Sequence, residues 1–375
     1  MLKRIYIDNF RCLVNFELSV DSINLFLGSN GAGKSTVFDV LRKIQAFVSG
    51  DSKVDAIFKS VDCTRWQTSL IQSFELEIEG NGGTYKYELA IEHDRDRNGN
   101  QTHIKYERLW FDNQPLLKFG LGEMQVFRDG SLSLEWKEYP FDLFQSMLAL
   151  LMPRDDNSKL TWFKERMERF IILQINPSMM VDESSKEENR LSYRMENYVS
   201  WYRYLSQNQG KIFELTNTLK EIFEGFAYFK FIDAGEKIRL LKLSFSLEND
   251  RNKLVEYKLG ELSDGQRMLI ALYTLIICTK SEDYTLCLDE PENFLALPEI
   301  QPWLIQLYDL CSEQKTQALL ISHHPVLIDY LLASPVGYWF ERQSNTPVRV
   351  KRIGTDNDTG LPISELVARG WLHDS

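Results

Sequence analysis

Hydrophobic and polar positions alternate from the start of the chain. In LKRIYIDNFRCLVNFELSV the apolar side chains fall at Ile5 and Ile7, stop at Asp8 and Asn9, and resume at Phe16, Leu18 and Val20. That pattern predicts a hairpin-like pair of strands. An apolar strand over 23–27 follows. From 35 to 47 the period changes, with Val37, Phe38, Val40, Leu41 and Ile44 at helical spacing. Period-two segments over 74–78, 85–91 and 104–110, and a pair around the Asp129-Gly130 turn, predict a mostly antiparallel sheet.

The pattern shifts near residue 140. From 141 to 226 it is helical, broken by PRDDNSK and DESSKEEN, with the amphipathic segment IFELTNTLKEIFEGF closed by Gly225. Strands are expected again over 229–232, 238–247 and 254–259. A helix with Met268, Leu269, Leu272, Leu275 and Ile276 on its apolar side comes next, then apolar strands over 284–288 and 318–321. The expectation is an α/β fold with an N-terminal β lobe over 1–140, a helical insert lobe over 141–228 and a C-terminal lobe over 229–375. The chain has no internal repeat, low-complexity tract or long heptad array.

The junctions between these elements carry the chemistry. GSNGAGKST, residues 28–36, fills every fixed position of GxxxxGK[ST] between an apolar strand and a helix. Gly28, Gly31 and Gly33, with Ser29, Asn30 and Ala32 between them, turn backbone N–H groups inward on an anion. Lys34 reaches the β/γ-phosphates of a nucleotide, Ser35 offers a hydroxyl to Mg²⁺, and Thr36 continues the helix start. In LSDGQR, Ser263 is the natural N-cap of a helix, and Asp264, Gly265 and Gln266 form a second anion-binding helix end. Two such ends in one chain predict that two chains share each nucleotide. The strand over 284–288 ends in Asp289, placed to hold Mg²⁺, and Glu290, placed to orient and deprotonate a water. The last strand runs into SHHP, where His323 is the candidate sensor of the γ-phosphate and His324 its structural neighbour. Gln72, before the strand over 74–78, is a candidate metal contact that relays Mg²⁺ and γ-phosphate occupancy to the helical lobe.

Composition bounds the rest. The 375 residues are 43% hydrophobic and 12% aromatic, enough for two cores in a globular chain. A net charge of −11 argues against nucleic-acid binding by charge alone. Two basic stretches, 95–108 and 349–352, could touch a phosphate backbone, but such runs are more often solvated strand faces or loops. Five cysteines without a CxxC pair predict reduced thiols in a cytoplasmic protein and no zinc site. The longest near-apolar stretch, 268–278, is too short to cross a bilayer, so no membrane partner is expected. No secretory signal is read at the N-terminus.

In this order, NFR, GSNGAGKST, LSDGQ, CLDEPE and ISHHP resemble the motifs of ABC-type ATPases of the RecF, SMC and OLD kind, over nearly the whole chain. The resemblance implies a P-loop NTPase of ABC-ATPase type that hydrolyses ATP with Mg²⁺. It also implies two heads closing over two ATP molecules, with Ser263 of one chain facing Lys34 of the other. The SDG of the signature resembles the RecF-like branch rather than membrane transporters. SMC-type proteins carry long heptad arrays that this sequence lacks. OLD-type nucleases continue into a Toprim domain; here GTDNDTG, 354–360, imitates DxDxxG, but Glu341 lies too close for that fold and a loop is expected. The first expectation is therefore an ATPase subunit, a homodimer or higher homo-oligomer, that controls a separately encoded nuclease or toxin in anti-phage defence. The alternative is a RecF-like DNA clamp in repair or recombination.

Overall fold

The computed structural model describes residues 1–96, 99–120, 123–127, 134–136, 142–247, 250–280, 282–313, 316–324, 336–353 and 365. The Asp129-Gly130 turn and the segment 354–360 lie outside them. The chain divides into two compact units, Met1–Phe170 with Leu327–Ser375, and Ile171–Val326.

The first unit contains an eight-stranded antiparallel sheet in the order Phe16–Ser19, Leu2–Asp8, Ile71–Gly80, Gly83–Asp96, Gly99–Phe111, Gln114–Gly120, Glu123–Phe127 and Leu134–Trp136. The expected first hairpin is present, pairing Ile5 with Leu18 and Ile7 with Phe16. Tight turns set the register. Asn81 and Gly82, and again Asp112 and Asn113, all have positive φ (50°, 80°, 45° and 63°), the backbone that two-residue hairpin loops need and that Asn, Asp and Gly tolerate best. The same unit holds the buried strand Ile23–Gly28, which pairs in parallel with Val336–Glu341; this strand in turn pairs antiparallel with Arg349–Ile353. The helix Lys34–Ser49 buries Val37, Phe38, Val40, Leu41 and Ile44, the stripe read from the sequence.

The second unit is built around the helix Asp264–Thr279. From Met268 to Thr279 every residue is buried, so it is a core helix rather than an amphipathic surface one. Trp303, on the helix Leu297–Ser312, donates its indole N–H to the Leu272 carbonyl at 2.9 Å. The strands Tyr284–Asp289 and Thr316–Ile321 pair in parallel, Asp289 opposite Ile321. Phe226–Asp233, Arg239–Leu247 and Asp250–Lys258 form the antiparallel sheet expected before the signature. All five cysteines are free thiols; burial pushes Cys278 and Cys311 up to about 12. No helix among the described residues is long and apolar enough to cross a membrane.

The expected helical lobe over 141–228 is not one body. Its helix Ser158–Glu168 belongs to the first unit, where Trp162 stacks on Tyr85 at 4.7 Å and Phe163 on Tyr87 at 5.4 Å. Its helices Tyr198–Leu205 and Gln209–Ile222 belong to the second, where the Tyr198 hydroxyl meets Thr274 Oγ1 at 3.1 Å and Lys211 Nζ donates to the Cys278 carbonyl at 2.9 Å. Each helix went where its aromatic or polar anchors found partners, and the unit boundary falls inside the strand Phe170–Leu173.

In the first unit the fully buried Glu107 accepts from Tyr87 Oη (2.9 Å), Ser146 Oγ (2.6 Å) and the Met147 N–H (2.7 Å), tying the start of the helix Met147–Leu150 to the sheet. Glu107→Ala strands these three donors and should cost on the order of 3 kcal/mol in urea unfolding. Burial raises the carboxyl above its ordinary value, against the lowering by its hydrogen bonds. Protonation therefore favours the folded chain, fully so below the unfolded pKa, and this contribution is lost as pH rises through the folded pKa. The penalty of Glu107→Ala should be larger at mildly acid than at neutral pH; the reverse order would refute the assignment.

Candidate functional site

The phosphate loop is shaped by close backbone approach. Gly28 ends its strand at φ 137°, and a Cβ there would lie 2.2 Å from the Phe340 carbonyl oxygen. The chain then emerges: Ser29, Asn30 and Gly31 are exposed, while Ala32, Gly33 and Lys34 are buried again. The Ala32 N–H closes the turn on the Ser29 carbonyl at 3.2 Å. Gly33 is the N-cap of Lys34–Ser49 at φ 102°, and no side chain caps the helix. A Cβ on Gly33 would meet Val348 Cγ2 at 2.8 Å and Cys12 Sγ at 3.1 Å.

These residues fit a nucleotide's phosphates. A Cβ on Gly31 would meet nothing within 4 Å, so the loop has open space on its outer side. The helix start presents its positive dipole end. Lys34 Nζ lies along the loop, donating to the carbonyls of Gly28 (2.6 Å) and Ser29 (3.0 Å). Ser35 is exposed in the first turn and Thr36 is half-buried, so an oxygen ligand for Mg²⁺ is available at Ser35.

Gln72 lies elsewhere in this unit, fully buried on the strand Ile71–Gly80. Its Nε2 donates to the Asn9 carbonyl at 3.3 Å and its Oε1 meets His93 Nε2 at 3.0 Å, while His93 Nδ1 meets Thr102 Oγ1 at 2.9 Å. Burial lowers the His93 pKa, so the neutral ring fits this chain of hydrogen bonds. Two residues on from Asn9, Arg11 bonds Asp62 (2.8 Å) and pairs with Asp39 of the phosphate-loop helix (3.0 Å).

In the second unit, Ser263 caps the helix Asp264–Thr279 through a reciprocal box: Ser263 Oγ accepts the Gln266 N–H at 3.2 Å, and Gln266 Oε1 accepts the Ser263 N–H at 3.0 Å. Asp264 pairs with Arg267 at 2.6 Å, and Arg267 also donates to the Pro177 carbonyl at 2.7 Å. Gly265 has no room for a side chain, since its Cβ would lie 2.9 Å from the Phe294 carbonyl oxygen.

The same unit brings together the carboxylates and the histidine. Asp289 is buried at the strand end. Glu290 follows at φ 53°, a left-handed backbone that costs a non-glycine residue on the order of 1–3 kcal/mol, and its N–H is held by the Ile321 carbonyl at 2.9 Å. Its carboxylate accepts from Asn293 Nδ2 at 2.8 Å and lies 3.8 Å from His323 Nε2. A residue missed from the sequence sits between them: buried Glu292 accepts from Ser322 Oγ at 2.5 Å and from the His323 N–H at 3.3 Å. The second glutamate of DEPE was the available signal. Burial raises the Glu292 pKa, with its hydrogen bonds opposing.

A phosphate loop in one unit, and a capped helix with a strained glutamate beside a histidine in the other, are the parts of an ABC-type ATPase. The family described as "AAA domain, putative AbiEii toxin, Type IV TA system" matches residues 23–329. The chain belongs to this family. Among solved structures, an SMC head bound to the C-terminal winged-helix domain of ScpA is similar at 11% identity, with 94% of this chain and 98% of that one covered and a TM-score of 0.55. An SMC head domain from Thermotoga maritima is 15% identical over 94% of this chain and 99% of its own, with a TM-score of 0.47. No curated protein gives a significant sequence match. The family and the first of these likenesses make the fold an α/β P-loop NTPase of the SMC-like ABC type.

The two glycines of the loop should respond differently to a methyl group. Gly28→Ala combines positive φ with a backbone clash and should lose more than about 3 kcal/mol of stability, whereas Gly31→Ala meets only its φ of 79° and should lose about 1 kcal/mol. Thermal and urea unfolding will rank them. Equal losses would mean that the approach of Phe340 does not shape the loop.

Proposed function

We propose that this ATPase hydrolyses ATP with Mg²⁺, closes as a homodimer over the nucleotide, and through that closure controls a separately encoded nuclease or toxin in cytoplasmic defence against phage. The observation that carries the reading is the fit of residues 28–36 to phosphate: exposed backbone at Ser29 to Gly31, open space at Gly31, an uncapped helix start and Lys34. A family described by a toxin of a type IV toxin–antitoxin system supports an effector. The ScpA domain on the similar SMC head supports docking of a separate chain on such a head.

In this reading the backbone of Gly28, Ser29, Asn30, Gly31, Ala32 and Gly33, with Thr36 behind them, wraps the phosphates, and Lys34 supplies the point charge. Ser35 in the first unit and Asp289 in the second are each a candidate ligand for Mg²⁺, which when bound neutralises phosphate charge. Glu290 takes the proton of the attacking water, and His323, beside it, senses the γ-phosphate. Ser263, Asp264, Gly265 and Gln266 of one chain serve the nucleotide held by Lys34 of its partner. Gln72 relays occupancy indirectly, through Asn9 and the neighbouring Arg11 pair with Asp39, rather than by touching the metal.

Glu290→Gln should retain ATP binding but lower turnover by about 10²-fold or more, and accumulate a dimer in size-exclusion chromatography with ATP. Lys34→Ala should lose ATP binding while still folding. Normal turnover in either variant sinks its assignment.

Ser263→Arg should block closure while leaving nucleotide binding at Lys34 intact. Mixed with Lys34→Ala, it forms heterodimers in which one composite site is intact and the other is spoiled twice, so the mixture should regain partial turnover that neither variant has alone. If Ser263→Arg alone hydrolyses ATP at the wild-type rate without dimerising, shared sites are wrong. ATP-dependent, salt-sensitive duplex binding in place of a protein partner would favour the DNA clamp.

A further inference from the structure

Glu292 faces the elements that carry Glu290 and His323, and no role has been given to it. It lies on the turn after Pro291, 8% exposed. Its Oε1 takes two donors from the segment that follows the strand Thr316–Ile321, the Ser322 hydroxyl at 2.5 Å and the His323 N–H at 3.3 Å. Its Oε2 is buried without a hydrogen-bond partner among the described residues. The Ser322 hydroxyl in turn accepts the His324 N–H at 3.1 Å, so one carboxylate oxygen organises three consecutive residues of the histidine segment.

The link closes a small ring. The Glu290 N–H is fixed by the Ile321 carbonyl, His323 Nε2 lies 3.8 Å from Glu290 Oε1, and Glu292 also joins the same two segments. A carboxylate with one well-used and one unpartnered buried oxygen is costly to keep. A hydrophobic residue would fill the space without that cost. It would not hold the His323 backbone.

We propose that Glu292 is a positioning residue that fixes the His323 backbone, and so the His323 imidazole, against the Glu290 carboxylate. The proposal rests on the ATPase reading for what the pair does, and on Ser322 and His323 alone for what Glu292 does. Glu292 acts as an acceptor: its task is to receive two donors, and negative charge is not required. Glutamine at this position keeps an acceptor oxygen for Ser322 and His323 and places its amide nitrogen where Oε2 lies. Alanine removes the acceptor.

The test uses the full chain. In nucleotide-free protein, hydrogen exchange at the His323 amide should be slow in wild type, slow in Glu292→Gln and faster by on the order of tenfold or more in Glu292→Ala. This readout needs no ATP. In turnover, Glu292→Ala should lower kcat by about tenfold to a hundredfold with KM little changed, because misplacement acts on the reacting geometry rather than on nucleotide binding at Lys34. Glu292→Gln should stay within about threefold of wild type, against the larger factors that accompany loss of a positioned group. Wild-type exchange and kcat in Glu292→Ala would overturn the proposal. So would a Glu292→Gln as impaired as the alanine variant, since charge and not acceptance would then be the requirement. If wild type itself neither binds nor turns over ATP, the ATPase reading fails, while the exchange result still decides whether Glu292 holds His323.

Discussion

The Phe340 carbonyl lies 2.2 Å from where a Cβ of Gly28 would sit, and the phosphate loop takes its shape from that approach. The strand Ile23–Gly28 is buried throughout and is paired along Val336–Glu341 up to the last residue before the loop. Apolar burial carries the chain to the edge of the unit in a fixed direction, and bare glycine lets it leave at an angle no side chain would permit. Gly33 repeats the device on the return, against Val348 and Cys12. Between the two, Ser29, Asn30 and Gly31 are exposed. Their N–H groups and Lys34 are therefore presented on a rigid frame, which is what recognition of a phosphate by backbone requires.

The second unit uses the same arrangement with strain in place of glycine. Apolar strands run in parallel to Asp289 and Ile321, and the next residue, Glu290, is held in a left-handed backbone by the hydrogen bond its N–H donates to the Ile321 carbonyl of the neighbouring strand. A glycine would adopt that backbone at no steric cost but could not present a carboxylate. The sequence accepts the cost at this position, and well-packed strands on either side are what can offset it.

The setting of GSNGAGKST was legible because an apolar strand and a helix of changed period flank it, and the structure has both, Ile23–Gly28 and Lys34–Ser49. The hairpin of Ile7 and Phe16, the helix Lys34–Ser49 and the buried strands were legible from period alone. The insert was not. Periodicity reports that 158–168 and 209–222 are helices, but not that Trp162 would seek Tyr85 while Lys211 would seek Cys278. Partner choice is long-range and leaves little trace in local spacing. The partners of Gln72 were hidden for a related reason: a polar residue at the start of a strand looks available, yet Asn9 and His93 take up its amide inside the sheet. Spacing does not single out Glu292, because Asp289 and Glu290 already account for the acids expected at a strand end and its partners lie on another element.

The turn after Glu290 touches more than the histidine segment. The Phe294 carbonyl rests on Gly265, in the first turn of the signature helix, and Phe294 itself is at φ 73° with its ring half exposed. One short segment thus carries Glu290, the Glu292 contacts with Ser322 and His323, and the carbonyl that occupies the space above Gly265. Its backbone is strained at both ends, at Glu290 and at Phe294, so it has little freedom to absorb a displacement by local adjustment. Movement of the signature helix start would press on Phe294, and through the turn on the glutamate and the histidine, because packed contacts of this kind shift as units rather than stretch. Under the proposed sharing of sites between two chains, that turn would couple closure to the chemistry.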